Sequence, residues 1–363
     1  MDRRTFLKTA GVISASFAIV GVVEDVLSYA DQVTLKDCLE MTPEEMAKNS
    51  KLIRYSWKVV MDLINNISDK TLRQKLADAW TDPRPIFFSE YTPSDLAKVS
   101  KGLRDRGFLE TPQWNFPPKK NAYSTLEAPG SGYSAHHSYP GGLVVHIAEN
   151  LRIALGIVKA YSEILHIRDI NQDVVIASQV LHDFQKPWVF QWEEDGSLRK
   201  ENRLAGTGEH HIYCIAESIK REFLPEVIVA LACAHEHPGT PDGEKKVISW
   251  IQAASILTGT DPIGKSLLKK DNLGLPSPVP LECWITYLGD HDWVLTNPTA
   301  LSAIDTLKEI AHSVYRLRPE GKEFNLFRNY IFSRICQTSF YSIYAKKGFE
   351  GVRRVVTEIV KPL

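Results

Sequence analysis

Three observations predict an all-α fold. Helix-start signals recur: Thr42-Pro43-Glu44-Glu45 and Thr92-Pro93-Ser94-Asp95 each place Thr as N-cap, Pro at the first helical position and an acid able to close a capping box. Apolar residues return at three-to-four spacing, as in Leu143, Ile147, Leu151, Ala154, Leu155 and Val158. Pro and Gly clusters separate such segments, and no strand region of the oligonucleotide-binding type stands out.

The chain has 363 residues, 44% apolar and 24% charged, enough for one large core or two moderate ones. Its net charge of −1 lacks the basic excess of phosphate-backbone binders, so no nucleic-acid partner is expected. The five cysteines are an odd number at no metal-like spacing; Cys214 and Cys233 lie in apolar runs and read as small buried hydrophobes.

Taken in order, residues 1–30 read as a twin-arginine export signal. Arg3-Arg4 and Lys8 precede fifteen uncharged residues, Thr9 to Val23, and Ser28-Tyr29-Ala30 suits a signal peptidase. The apolar run falls short of the roughly twenty residues that span a bilayer. Export to the periplasm, or otherwise out of the cytoplasm, is therefore expected, with the twin-arginine machinery as partner, cleavage after Ala30 and no stable membrane insertion afterwards.

Residues 31–135 read as an N-terminal helical layer and loop, with helices over about 42–65, 69–80 and 92–106. The stretch from Thr111 to Gly142 is punctuated by Pro112, Pro117, Pro118, Pro129, Gly130, Gly132, Pro140, Gly141 and Gly142. Long ordered loops of this kind are usually functional or linking. This one delivers His136, His137 and His146 to the start of a helix.

Chemistry-bearing donors then recur. A helix over about 171–183 ends in His182-Asp183, an imidazole and a carboxylate suited to a divalent ion, and Lys186 follows three residues on. In a helix over about 206–222, His211 shares a stripe with Ile215 and Ile219 while His210 falls with Cys214 and Ser218; the apolar stripe favours His211 as the inward one. In the helix opened by Pro225, His235 aligns with Val227 and Leu231, and His237 lies at the exit, suited to substrate contact or plain solvation. A helix over about 247–260 ends at Asp261, where a carboxylate is disfavoured by the helix dipole unless a cation is present.

These donors, four imidazoles and two carboxylates, can hold one or two divalent ions; Mn, Fe, Zn, Mg and Ni are not distinguished by the pattern. The order His, His-Asp, His, His, Asp resembles the HD-domain superfamily of metal-dependent phosphohydrolases over about residues 136–265. The stretch from His136 to His146 looks like the opening of the HD domains of certain exoribonucleases, and Leu181-His182-Asp183-Phe184-Gln185-Lys186 is similar to the family's His-Asp-x-Gly-Lys.

The resemblance implies an HD-domain helical bundle over residues 136–265, with residues 266–363 as a C-terminal helical extension packed on it. It implies metal ligands at His146, His182, Asp183, His211, His235 and Asp261, and catalytic roles for Asp183, bridging two ions, and for Lys186, near a scissile phosphate. His137, His210 and His237 are the alternative ligands or substrate contacts. Ser255 competes with Asp261 for the last register, and the Gly289-Asp290-His291-Asp292-Trp293 cluster, read as a solvated turn, holds spare ligands. The implied activity is hydrolysis of a small phosphate ester, nucleotide-like in size, by an exported enzyme. Two other readings stand beside it: a di-iron oxygenase of the same ligand order, and a non-catalytic exported binding protein with a degenerate site. Trp188, Phe190 and Trp192 are expected to cover the core.

Overall fold

The computed structural model describes residues 32–111, 114–118 and 124–362. The expected export signal lies outside them. The all-α expectation matches what is observed, for 60% of the structure is helical and each strand is two residues long. β1 (Val33–Thr34) pairs in parallel with β4 (Val360–Lys361), and β2 (Arg203–Leu204) pairs antiparallel with β3 (Thr207–Gly208).

The N-terminal helices are α1 (Leu35–Glu40), α2 (Pro43–Lys48), α3 (Lys51–Asn65), α4 (Lys70–Thr81) and α5 (Pro93–Asp105). Thr42 and Thr92 close the capping boxes that the sequence predicts. The single helix expected over 42–65 is two, because Ser50 restarts it. Its hydroxyl accepts from the Ile53 amide at 3.2 Å and donates to the Ser333 carbonyl at 2.6 Å, a local bond that competes with helix continuation.

The central helices are α6 (Gly142–Ile164), α7 (Gln172–Leu181), the short α8 (Lys186–Val189), α9 (Glu209–Lys220), α10 (Pro225–Ala232), α11 (Pro241–Thr258) and α12 (Leu281–Asp290). The last three are α13 (Trp293–Tyr315), α14 (Lys322–Arg334) and α15 (Gln337–Ile359), which kinks at Gly348. α12 corrects the sequence reading in which Gly289 to Trp293 is a solvated turn. It carries a buried stripe of Glu282, Cys283, Ile285, Thr286, Gly289 and Asp290 and packs against α6, α7 and α10.

α7 lies at the centre, buried on every side from Val174 to Leu181. Its first turn is tied to the α3–α4 corner by the Asp173 carboxylate, which accepts from the amides of Ser68 and Asp69 at 3.0 and 3.1 Å. Its last turn is tied to α12, where Ser178 meets the Thr286 hydroxyl at 2.7 Å and Gln179 donates to the Thr286 carbonyl at 2.8 Å. Gly289 permits this approach, since a Cβ there would lie 2.2 Å from the Gln179 amide nitrogen and 3.0 Å from the Ala154 Cβ. One contiguous apolar cluster runs from Leu35 to Val360. No helix of the described residues is long and apolar enough to cross a membrane.

The C-terminal helices also hold the histidine-bearing loop. Arg328 of α14 is fully buried with no carboxylate partner among the described residues; its guanidinium donates to the Ser138 carbonyl at 2.9 Å, the Ser138 hydroxyl at 2.6 Å, the Tyr133 carbonyl and Asn329 at 3.0 Å. A lysine cannot reproduce that planar fork. Arg328→Lys should cost about 2–3 kcal/mol of stability in denaturant titrations, through buried acceptors left unpaired; an unchanged midpoint would show that the loop is held by other contacts.

Candidate metal centre

Five helices deliver donors to one buried point. His146 sits in the second turn of α6, His182 and Asp183 directly follow α7, His210 is in the first turn of α9, His235 lies just beyond α10, and Asp290 ends α12. His146, His182 and Asp183 are at most 1% exposed.

The geometry defines two donor groups that share Asp183. In the first, His146 Nε2 lies 3.1 Å from Asp183 Oδ2 and 3.1 Å from Asp290 Oδ1, and His182 Nε2 lies 3.2 and 3.1 Å from the same two oxygens. Donors bound to one ion at about 2.0–2.2 Å stand about 3.0–3.5 Å apart, so these four fit a common divalent ion. In the second, Asp183 Oδ1 faces His210 Nε2 at 3.4 Å and His235 Nε2 at 4.0 Å, while Asp290 Oδ2 lies 3.6 Å from His235.

The hydrogen bonds around the cluster orient its imidazoles so that they could serve as ligands. The Gln179 carbonyl, 2.7 Å away, can only accept, so His182 Nδ1 carries the proton and Nε2 turns its lone pair inward. The Glu201 carboxylate does the same for His210, accepting from Nδ1 at 2.7 Å. Asn150, one turn beyond His146, donates to Asp290 Oδ1 at 2.9 Å. Asp183 Oδ1 and His210 Nε2 are buried and make no hydrogen bond, the condition that a bound cation relieves, while Asp183 Oδ2 is paired with the Lys186 ammonium.

Charge in the cluster is strongly coupled. Burial opposes the charged form of His182, yet Asp183 and Asp290 outweigh it and raise the imidazole to about 10. His210 is raised to about 9, burial again being outweighed, here by Glu201 and Asp183. Asp183 and Asp290 are held well below the usual carboxylate range despite burial, by the histidines and, for Asp183, by Lys186. Burial dominates at His235, lowering it to about 4.

Two sequence-based assignments are corrected by position. His211 is not in either donor group; its Nε2 donates to the Ala232 carbonyl at 3.2 Å and its ring stacks on His235 with centroids 4.1 Å apart. His210 takes the place at the cluster. Asp261 is exposed beyond α11, where its carboxylate accepts from the amides of Ile263 and Gly264 at 3.0 Å, an ordinary Asx turn. Asp290, only a spare in the sequence reading, occupies the position expected of Asp261. Ser255 lines a separate groove with Arg106 and Gln252. His237 stays outside the cluster, its Nδ1 accepting from the Gly239 amide at 3.1 Å and its ring against Tyr287.

The cluster floors a cavity of about 490 Å³, lined by His136, His146, Lys186, His210, His235 and Asp290 and walled by Phe190 and Trp293. Such a volume suits a small molecule. Lys186 is buried, its ammonium paired with Asp183 Oδ2 and the Gly130 carbonyl. Phe190 therefore borders the cavity, whereas Trp188 is core, stacked on Phe88, and Trp192 packs with Leu198. His136 and Glu201 enter the site without having been singled out from sequence as ligands; no period marks them, because both sit on loops.

Part of the chain is similar to the dihydroneopterin 2',3'-cyclic phosphate phosphodiesterase of Methanocaldococcus jannaschii, with 30% identity over 147 residues, 39% of this chain and 58% of that protein. The chain thus spans little more than half the length of the curated relative it matches. No family model matches the chain, and no solved structure does.

Two outcomes follow from the geometry. His210→Ala and Asp290→Asn should lose bound metal in elemental analysis, whereas Asp261→Asn keeps it and His211→Ala keeps it at lower stability, by about 1–3 kcal/mol; metal loss in Asp261→Asn with retention in Asp290→Asn would reverse the assignment. Because His182 and His210 hold their second protons well above pH 7, an ion must displace them. Its apparent affinity should therefore climb with pH up to about pH 9–10, with proton release in calorimetric titrations; a pH-independent affinity contradicts this.

Proposed function

We propose that this protein is a metal-dependent phosphohydrolase that cleaves a small phosphate ester at a centre of two divalent ions bridged by Asp183. The observation that carries the reading is Asp183 itself: a buried carboxylate whose two oxygens face two separate sets of imidazoles at the floor of a small-molecule cavity. The partial similarity to a phosphodiesterase supports the reaction class. The 1–30 segment is the ground for proposing that the enzyme is exported by the twin-arginine route.

His146, His182, Asp183 and Asp290 would hold one ion, and Asp183, His210 and His235 the other. Ions held there lower the pKa of a water and stabilise negative charge on phosphoryl oxygens. The chain's own groups do the rest. Lys186 supplies a fixed cation at the cavity wall for a phosphate oxygen, and its bond to the Gly130 carbonyl pre-sets its position. His136, kept well below its ordinary pKa by burial and by His146 and His137, presents a neutral imidazole with one donor and one acceptor. Glu201 holds the His210 ring through Nδ1. Phe190 and Trp293 offer apolar ring faces across the cavity, which favour a substrate with a planar heterocycle beside its phosphate. Cyclic 2',3'-phosphodiesters of such compounds are the first substrates to test.

Asp183→Asn should abolish turnover and the metal held at the two donor groups that share Asp183. Lys186→Ala should keep its metal and lose about 10²-fold or more in kcat, the scale of one removed charge stabiliser. Phosphate monoesters, acyclic diesters and cyclic diesters assayed with and without oxygen decide the class. Two irons with oxygen uptake and no phosphate-ester cleavage would replace the hydrolase by an oxygenase. Protein purified without chelator that holds no ion would leave a binding role.

A further inference from the structure

A third donor group lies outside both sets described above. His137, Glu149 and Asp292 each present one ligand atom, all within 4.8 Å of one another. His137 Nε2 lies 3.4 Å from Glu149 Oε2, the spacing of two ligands on one ion at about 2.1 Å. The same segments that build the main cluster supply this one. His137 shares the loop of His136, Glu149 follows His146 by one turn of α6, and Asp292 lies two residues past Asp290.

Two of the three groups carry buried, unsatisfied atoms. His137 is 2% exposed, and its Nε2 is buried without a hydrogen bond while aimed at Glu149. Both Asp292 oxygens are buried and unpartnered too. Among the described residues no lysine or arginine pairs with Glu149 or Asp292, although the Asp290 carboxylate is two residues away. The other ring nitrogen, Nδ1, meets the buried Tyr139 hydroxyl at 3.1 Å; when Nδ1 donates there, Nε2 turns its lone pair to the carboxylates. The backbone holds it there: His137 sits at φ 52, and its carbonyl accepts from the amides of Gly130 at 2.8 Å and Tyr139 at 2.9 Å. Gly142 leaves room for this carbonyl, which would lie 1.8 Å from a Cβ at that position.

We propose that His137, Glu149 and Asp292 form a further cation site, taking one divalent transition-metal ion beside the main centre. One imidazole and two carboxylates are a donor set for Mn²⁺, Fe²⁺ or Zn²⁺. The Glu149 side chain is 39% exposed, which gives the ion a path from solvent. The rings of His137 and His146 are 5.4 Å apart, so an ion here would tie the histidine loop to α6 and to the end of α12 next to the catalytic cavity. The inference stands on these three residues and does not depend on the hydrolase reading.

The test is the metal content of the full chain after equilibration with Mn²⁺ or Zn²⁺, by mass spectrometry of the elements and by calorimetric titration. Wild type should bind one equivalent more than Glu149→Gln and than Asp292→Asn, and both variants should still lose their remaining ions on adding Asp183→Asn. Asp183→Asn alone should keep the ion that the Glu149→Gln, Asp183→Asn double variant lacks, which would uphold this site even if the main centre were misassigned. Equal metal content in wild type and in both single variants would overturn the proposal while leaving the main centre untouched. Either partly exposed carboxylate serves if the other variant folds poorly.

Discussion

Two helices end by driving a carboxylate into the same buried point. α7 terminates at Leu181 with Asp183 two residues on, and α12 terminates at Asp290. A helix C-terminus is the negative end of the backbone dipole, so each carboxylate adds charge where it is least welcome. Burying two such ions costs several kcal/mol apiece unless they are paired and hydrogen-bonded. Histidine protons and Lys186 offset part of this, as the raised His182 and His210 show. A divalent cation offsets it more completely, and the convergence of the helices makes sense in those terms.

The surrounding layers serve that convergence. Asp173 and Gln179 fix the two ends of α7, one against the N-terminal helices and one against α12. Glu201 and the Gln179 carbonyl orient imidazoles through the nitrogen turned away from the cluster. His211 stacks on His235 and is anchored to the Ala232 carbonyl, so it steadies the His235 ring from outside both donor groups. Arg328 reaches from the C-terminal helices to secure the loop of His136 and His137. The cavity is thereby closed by parts of the chain nearly two hundred residues apart.

Much of this was legible in the sequence where chemistry and period agree. Capping boxes at Thr42 and Thr92 mark helix starts because a hydroxyl and a carboxylate three residues apart satisfy free amides, whatever the tertiary context. His146 and His182-Asp183 were legible because each adjoins a strongly apolar run. The choice between His210 and His211 was not, since α9 is buried from Glu209 to Ile219 and both stripes face protein. The apolar neighbours of His211 point to a packing face; His210 keeps company with Cys214, whose sulfur accepts from the Gln185 amide beside the His-Asp turn. Asp290 was obscured because Gly289 looks like a turn residue, when it is there to let α12 close on Gln179 and Ala154. A period read through that glycine, from Cys283 and Thr286 to Asp290, carries the signal.

The most direct test of the central claim is anomalous X-ray diffraction at the metal absorption edge, from crystals of protein purified without chelator. The account predicts a strong peak bounded by the Nε2 atoms of His146 and His182 and the carboxylates of Asp183 and Asp290. A structure with no peak there, or with an ion at Asp261 and His211 instead, would contradict it.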